Sequence, residues 1–198
     1  MTATPLAAIV LAAGASSRMG RPKAFLPMDP GGTVLGRVLG TLADAGLDPI
    51  VVVARERFAP SGAWRDLRAD RVRVAVNPDP DRGQLSSLLC GLDQLEPAAP
   101  AVLMTLVDVP LVAVATVRAL VTAWQREHAV LVRPVQAGRH GHPVIFGRAL
   151  LDALRLADLA EGARPVVRDF ADQGLDVPVD DPGVLVDLDT PDDYARYI

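Results

Sequence analysis

The sequence is poor in lysine, cysteine and aromatic residues, and each shortage excludes something. Aromatic residues make up 4% of the 198 positions, so a core has to be built from Ala, Val and Leu. Cys90 is the single cysteine, which rules out an internal disulfide and a cysteine zinc cluster, and an oxidising compartment is not indicated. Basic charge is not in excess: 20 basic residues face 24 acidic ones, for a net charge of −4, which argues against a general nucleic-acid binder. The apolar run near the start has about ten residues, too few to span a bilayer. It also lacks the basic segment that opens a secretory signal, so the expectation is a buried strand in a cytoplasmic protein. Among the 20 basic residues only Lys23 is a lysine.

Half of the residues are apolar and 22% are charged, enough for a real core and incompatible with general disorder. The length suggests one domain covering residues 1–198. Leu6 to Leu11 is a continuous apolar run that ends in a Gly/Ser cluster, as a strand buried on both faces reads. Val34, Leu35, Val38, Leu39 and Leu42 share one helical face, with Thr33 as N-cap. Strands are expected at Ile50–Val53, Arg71–Val76 and Ala101–Val107, and again at Ala129–Val132 and Pro143–Phe146. Helices are expected over Gly83–Leu95, from Val114 past Trp124, near Arg148–Leu156 and over Ala163–Ala171. A last short strand around Val184–Leu188 precedes a helix starting at Thr190. Strand and helix alternate through the first 125 residues, which predicts an α/β protein with a mainly parallel sheet between helical layers. The turn-rich loop Asn77–Arg82 follows a strand end, where open α/β sheets bind ligands.

The chemistry concentrates in Leu11–Lys23, reading LAAGASSRMGRPK. Small residues at Ala12, Ala13, Gly14 and Ala15 let backbone amides approach a phosphate or a base edge. Arg18 and Lys23 bring two cations to the same loop, one a planar fork and one a compact point charge. The run is not a P-loop, because five residues separate Gly14 from Gly20 and Arg-Pro-Lys follows. It is not the dinucleotide fingerprint either, because Ser16 stands where a glycine is needed. Asp108 ends an apolar strand in Val-Asp-Val-Pro, on the ligand side of a parallel sheet. It can hold a divalent cation with phosphate oxygens or cap the next helix. Asp187 and Asp189 point to one side if their segment is extended.

The run Leu11–Lys23 resembles the LAAGxSxRMGxxK signature of the MobA-like nucleotidyltransferases of molybdenum cofactor biosynthesis, at every specified position. The resemblance implies a three-layer, Rossmann-like nucleotidyltransferase fold with a mixed, mainly parallel sheet. It also implies that Leu11, Ala12, Ala13 and Gly14 wrap a nucleoside triphosphate, with Arg18 and Lys23 on its phosphates. Asp108 matches the family's strand-end D-x-P metal ligand. Val186–Pro191 is similar to its closing D-x-D-T-P segment, which makes Asp187 the favoured second ligand of Mg²⁺, with Asp189 the alternative or a helix starter. Asn77–Leu92, NPDPDRGQLSSLLCGL, resembles the base-recognition loop and helix, and implies base contacts from Asn77, Gly83 and Ser87 or the adjacent Ser86. His140-Gly141-His142 holds two of the three histidines, but no third ligand is near it in sequence, so a metal site there is disfavoured. Gly141–Phe146 followed by Gly162-Ala163-Arg164 resembles the acceptor side of molybdenum cofactor cytidylyltransferases, where His142 would meet an anionic acceptor. The departure is Ala160-Glu161, where that group reads Gly-Asp.

Ala13 replaces the second glycine usual in guanylyltransferases, and its methyl suits a pyrimidine. The resemblance therefore implies transfer of CMP from CTP to molybdopterin, with pyrophosphate released and the product passed to a recipient molybdoenzyme or chaperone. Alternatives are another small phosphorylated acceptor, such as a sugar or alcohol phosphate, or a non-catalytic nucleotide- or pterin-binding accessory protein. Neither nucleic acid nor membrane is an expected partner.

Overall fold

The computed structural model describes residues 5–15, 22–28, 32–56 and 71–198. Arg18 and the rest of Ser16–Arg21 lie outside the described residues. One sheet organises the chain. Its strands are β1 (Ala7–Ala12), β2 (Ile50–Ala54), β3 (Val72–Val76), β4 (Ala101–Leu106), β5 (Leu131–Gln136), β6 (Arg139–His140), β7 (Val144–Gly147) and β8 (Leu175–Pro178). The spatial order is β3-β2-β1-β4-β7-β5-β6, with β8 pairing β5. Pairs β1–β2, β1–β4, β2–β3 and β5–β8 are parallel, whereas β7 runs antiparallel to both β4 and β5 and β6 runs antiparallel to β5. The mixed, mainly parallel sheet is therefore as expected.

Alternation along the strands divides the core between two faces, because successive strand residues point to opposite sides. Ala8 and Val10 of β1 pack with Leu35, Leu39 and Leu42 of helix α1 (Val34–Asp44) and with Leu120 and Trp124 of α3 (Val114–Glu127). Ile9 and Leu11 face the other way, against Leu85, Leu88 and Leu92 of α2 (Gln84–Leu92), and Leu150 and Leu154 of α4 (Arg148–Leu156) extend that layer. Two short helices follow, α5 (Arg164–Asp169) and α6 (Pro191–Tyr197). Each Leu fully removed from water stabilises by roughly 1.5–3 kcal/mol, so an aliphatic core compensates for the scarcity of rings. Among the described residues no helix is long and apolar enough to cross a membrane.

Thr33 caps α1 as expected, its hydroxyl accepting from the Gly36 amide at 3.1 Å. Thr190 caps α6 in a reciprocal box with Asp193. The strand expected at Val184–Leu188 is not formed. Pro182–Leu185 is instead a single 3₁₀ turn, because the Asp181 carboxylate bonds the Gly183 amide and Gly183 packs where a Cβ would stand 2.2 Å from the Leu111 carbonyl oxygen. The strand in this part of the chain is β8, whose four residues include an Asp and a Pro and carry little strand signal. The expected helix Ala163–Ala171 ends at Asp169 and passes into a 3₁₀ turn, Ala171–Gln173.

Candidate nucleotide site

Three parallel strands end on one side of the sheet, and their carboxyl ends open a cleft of about 310 Å³. Such strand ends are where open α/β sheets hold ligands. Ala12 to Ala15 after β1 form one wall, Arg55 and Glu56 after β2 a second, and Val107-Asp108 after β4 the floor. Gly83, Gln84 and Ser87, at the start of α2, close the far side. A Cβ added at Gly14 would meet no atom of the described residues within 4 Å, so among them the glycine relieves no clash. Gly83 has φ +92°, a backbone that favours glycine, and this turn aims the start of α2 at the cleft.

Leu11 contributes backbone rather than side chain: it is buried against α2, and its carbonyl accepts from the Val107 amide at 3.1 Å. That bond sets the β1 loop beside Asp108. Asn77 is 3% exposed and is consumed within the protein. Its amide nitrogen donates to Ser86 Oγ at 2.9 Å and Ser87 Oγ at 3.0 Å, while its oxygen accepts from the Asp79 amide at 3.0 Å. Asn77 thus ties the loop after β3 to the first turn of α2. The structure also separates the two serines, since Ser87 lines the cleft and the Ser86 hydroxyl turns to the Gly83 carbonyl at 2.8 Å.

Lys23 lies at the Asp108 end of the cleft with its side chain 12% exposed. Its Nζ is 2.5 Å from Asp189 Oδ1 and 3.2 Å from Asp108 Oδ2. Burial opposes its charge, but hydrogen bonds and attraction from Asp189 and Asp108 outweigh that and raise its pKa. Asp187 belongs to the same cluster. Burial raises its carboxyl pKa first, the negative charges of Asp108 and Asp189 add to this, and Lys23 opposes them. The backbone joins the two acidic segments, with the Leu188 amide donating to the Asp108 carbonyl at 2.8 Å. Asp108 does not cap α3, because Asp181 takes the Ala113 amide there. Nor does Asp189 start α6, because Thr190 and Asp193 supply that cap while the Asp189 carboxylate meets Lys23.

The carboxylates fit a hard divalent cation. Asp108 Oδ1 is buried with no hydrogen-bond partner among the described residues, an orphaned acceptor that a cation would satisfy. Asp108, Asp187 and Asp189 offer only oxygen donors, the set that Mg²⁺ and Mn²⁺ prefer. Among the described residues no three acidic, His or Cys side chains converge as a complete metal cage. Phosphate oxygens and water would have to supply the remaining positions. His142 lies outside the cleft lining, near enough to Asp108 to feel its charge. Burial lowers the pKa of its imidazole, Asp108 opposes this, and its Nδ1 has no partner among the described residues.

Sequence reading missed two groups at this site. Arg55 and Glu56 line the cleft, and Arg55 pairs with Asp81 at 2.8 Å across its mouth. The position of Arg55 just past β2 was the available signal, by the strand-end rule already applied to Asp108. Phe25, 38% exposed, lines the cleft beside Lys23, and nothing in its local pattern separated it from a core residue.

A small-residue loop after β1, an acidic cluster past β4 and a lysine between them, on this sheet, define a nucleotidyltransferase-type α/β protein. Residues 8–176 match the MobA-like NTP transferase domain, and the chain belongs to that family of nucleotidyltransferases. The purine catabolism protein PucB of Bacillus subtilis is 29% identical over 197 residues, covering 96% of this chain and 94% of that one. The molybdenum cofactor cytidylyltransferase of Escherichia coli is 25% identical over 198 residues, covering 94% and 92%. By contrast, the chain spans only 20% of the bifunctional IPC transferase and DIPP synthase of Thermococcus kodakarensis, at 33% identity over 85 residues. The crystal structure of Rv0371c from Mycobacterium tuberculosis superposes with a TM-score of 0.78 at 31% identity, over 98% of both chains. Its complex with manganese superposes at 0.72, with 28% identity and 98% coverage of both chains.

Proposed function

We propose that the chain, acting as one catalytic domain over residues 1–198, transfers the CMP moiety of CTP to a molybdopterin-type acceptor and releases pyrophosphate. The observation that carries this reading is the meeting of the only lysine with Asp108 and Asp189 at the end of a cleft walled by Ala12–Ala15. The likeness to a cytidylyltransferase over almost the whole chain supports the choice of base and acceptor. Ala13 lines the cleft at the position where guanylyltransferases usually carry a second glycine, which supports a pyrimidine. Mg²⁺ is the proposed cofactor, held by Asp108 and Asp187, and it supplies charge neutralisation on the triphosphate.

In the reaction an acceptor phosphate oxygen forms a bond to the α-phosphorus, and the bond from that phosphorus to the bridging oxygen of the β-phosphate breaks. The electron pair leaves with pyrophosphate. The attacking phosphate is already anionic, so no general base is required, and positioning and charge compensation do the catalysis. Amides of Ala12–Gly14 bind the triphosphate, and Arg18 and Lys23 offset the charge that grows on the leaving group. Gly83 and Ser87 contact the base, positioned by Asn77 through Ser86 and Ser87. His142 orients the acceptor, and a molybdoenzyme or its chaperone receives the product.

The test is pyrophosphate release across the four nucleoside triphosphates with Mg²⁺, with and without molybdopterin. Release with CTP only when the pterin is present supports the reading. Release with a sugar or alcohol phosphate as acceptor replaces molybdopterin, and tight nucleotide binding with no release under any acceptor favours an accessory role. Lys23→Ala is expected to lower turnover by about 10²–10³-fold, the usual loss when one charge-stabilising donor is removed. Wild-type turnover in that variant would remove Lys23 from the mechanism.

A further inference from the structure

The ammonium of Lys23 rests on Asp108, which the proposed function assigns to a divalent cation, and on the neighbouring Asp189. It contacts Asp108 Oδ2 at 3.2 Å and Asp189 Oδ1 at 2.5 Å, and its charge also reaches Asp187. Asp187 lies within reach of the charges of Asp108, Asp189 and Lys23, so the three carboxylates repel one another. The Lys23 ammonium offsets that repulsion. A divalent cation at Asp108 would compete with the ammonium for the same negative charge, and two like charges cannot share it cheaply when one is largely buried.

We propose that Lys23 is an exchangeable counter-ion that competes with the metal for Asp108 and gives up that carboxylate when the metal binds. The released ammonium then needs a new anion, and a triphosphate in the adjoining cleft supplies one. Metal and nucleotide therefore bind with positive coupling, each making the other's binding less costly, and this coupling is reciprocal. The pairing keeps the site closed to free divalent cations and opens it to a cation that arrives with nucleotide. This inference rests on the assignment of Asp108 to a metal and adds how occupancy of that site is controlled.

Two measurements that do not read turnover test it. The first is the affinity for Mn²⁺ alone, by calorimetry or by the electron paramagnetic resonance signal of free Mn²⁺, in the wild type and in Lys23→Met, which keeps an unbranched apolar stem without the charge. Removing the competing cation is expected to tighten Mn²⁺ binding about tenfold. Equal or weaker binding by the folded variant overturns the exchange. The second uses the wild type only and so does not depend on how the variant folds. Lys23 is the single lysine, so acylation by an amine reagent at constant pH, read by peptide mass spectrometry, follows its side chain alone apart from the separable α-amine. Saturating Mn²⁺ is expected to raise the Lys23 acylation rate several-fold, and CTP added with Mn²⁺ to lower it again. Bound Mn²⁺ that leaves the rate unchanged overturns the exchange while leaving the proposed function standing. Failure of Mn²⁺ to bind either protein overturns the exchange together with the metal assignment beneath it.

Discussion

Replacement of Asp181 by Ala should destabilise the protein through an element far from Asp181 in sequence. The carboxylate is 8% exposed and accepts three hydrogen bonds. Oδ2 takes the Ala113 amide at 2.9 Å and the Thr116 hydroxyl at 2.6 Å, and Oδ1 takes the Gly183 amide at 3.0 Å. Asp181 thus serves as the N-cap that α3 lacks from its own segment, since Ala113 has no side-chain acceptor. Losing a cap typically costs about 1 kcal/mol. Leaving the buried Thr116 hydroxyl unpaired adds roughly 1–3 kcal/mol. The expected loss is therefore about 3 kcal/mol, which for a chain of this size lowers Tm by roughly 6–12 °C. Urea unfolding followed by circular dichroism measures it. Adding Thr116→Val to Asp181→Ala should restore part of the loss, because the unpaired hydroxyl goes with it. A loss below about 1 kcal/mol would refute the cap as the joint between α3 and the Pro182–Leu185 turn. That turn matters to the site, because the Val184 carbonyl accepts from the His142 amide at 2.9 Å and the turn leads directly into Asp187.

Two further outcomes are expected. Gly91→Ala adds a methyl 2.8 Å from Ile9 Cγ2 and 3.0 Å from Val53 Cγ2, both on fully buried strand residues that cannot yield. The helix gains up to about 1 kcal/mol in propensity, but overpacking costs roughly 1–3 kcal/mol, so Tm should fall, and a raised Tm would mean the sheet moves away easily. Asp176 pairs with Arg133 at 2.7 Å and with His140 at 2.9 Å. Burial acts to raise its carboxyl pKa, but the hydrogen bonds and charge of His140 and Arg133 outweigh it, so the net pKa is lowered. A lowered carboxyl contributes stability that is fully present above the unfolded value near pH 4 and lost as pH falls through the folded one. The group is 45% exposed, so the contribution is a few tenths of a kcal/mol. Urea midpoints should fall less between neutral pH and about pH 3 in Asp176→Asn than in the wild type, and parallel curves would show that the pair contributes nothing.

Much of the framework was legible in the sequence because the signals are local. A strand buried on both faces is a continuous apolar run, and the loop after it carries its small residues and its cations within thirteen positions. Asp108 could be placed because a carboxylate at the end of an apolar strand lies on the ligand side whatever its neighbours are. Thr33 and Thr190 were readable as caps because a cap depends on residues within one turn. The elements that were misread are those whose conformation is imposed from elsewhere. β8 is a strand because β5 offers it a parallel edge, and Val184–Leu188 is not one because Asp181 and the Leu111 carbonyl shape the turn before it.

The sequence by itself determined the alternation of strands and helices through the first 125 residues, the loop able to cradle phosphates, and the list of acidic residues that could hold a cation. Only the tertiary structure decided how these residues combine. Lys23 meets Asp108 across 85 positions and Asp189 across 166, so its standing as the counter-ion of an acidic cluster depends on how the sheet brings distant strand ends together. Asn77, expected at the base, proves to be a buried tie between its loop and the serines of α2. The physical reason is the same in both cases. Residue type sets what a side chain can bond, but burial and long-range packing choose its partner, and partners so far apart in sequence leave no periodic trace.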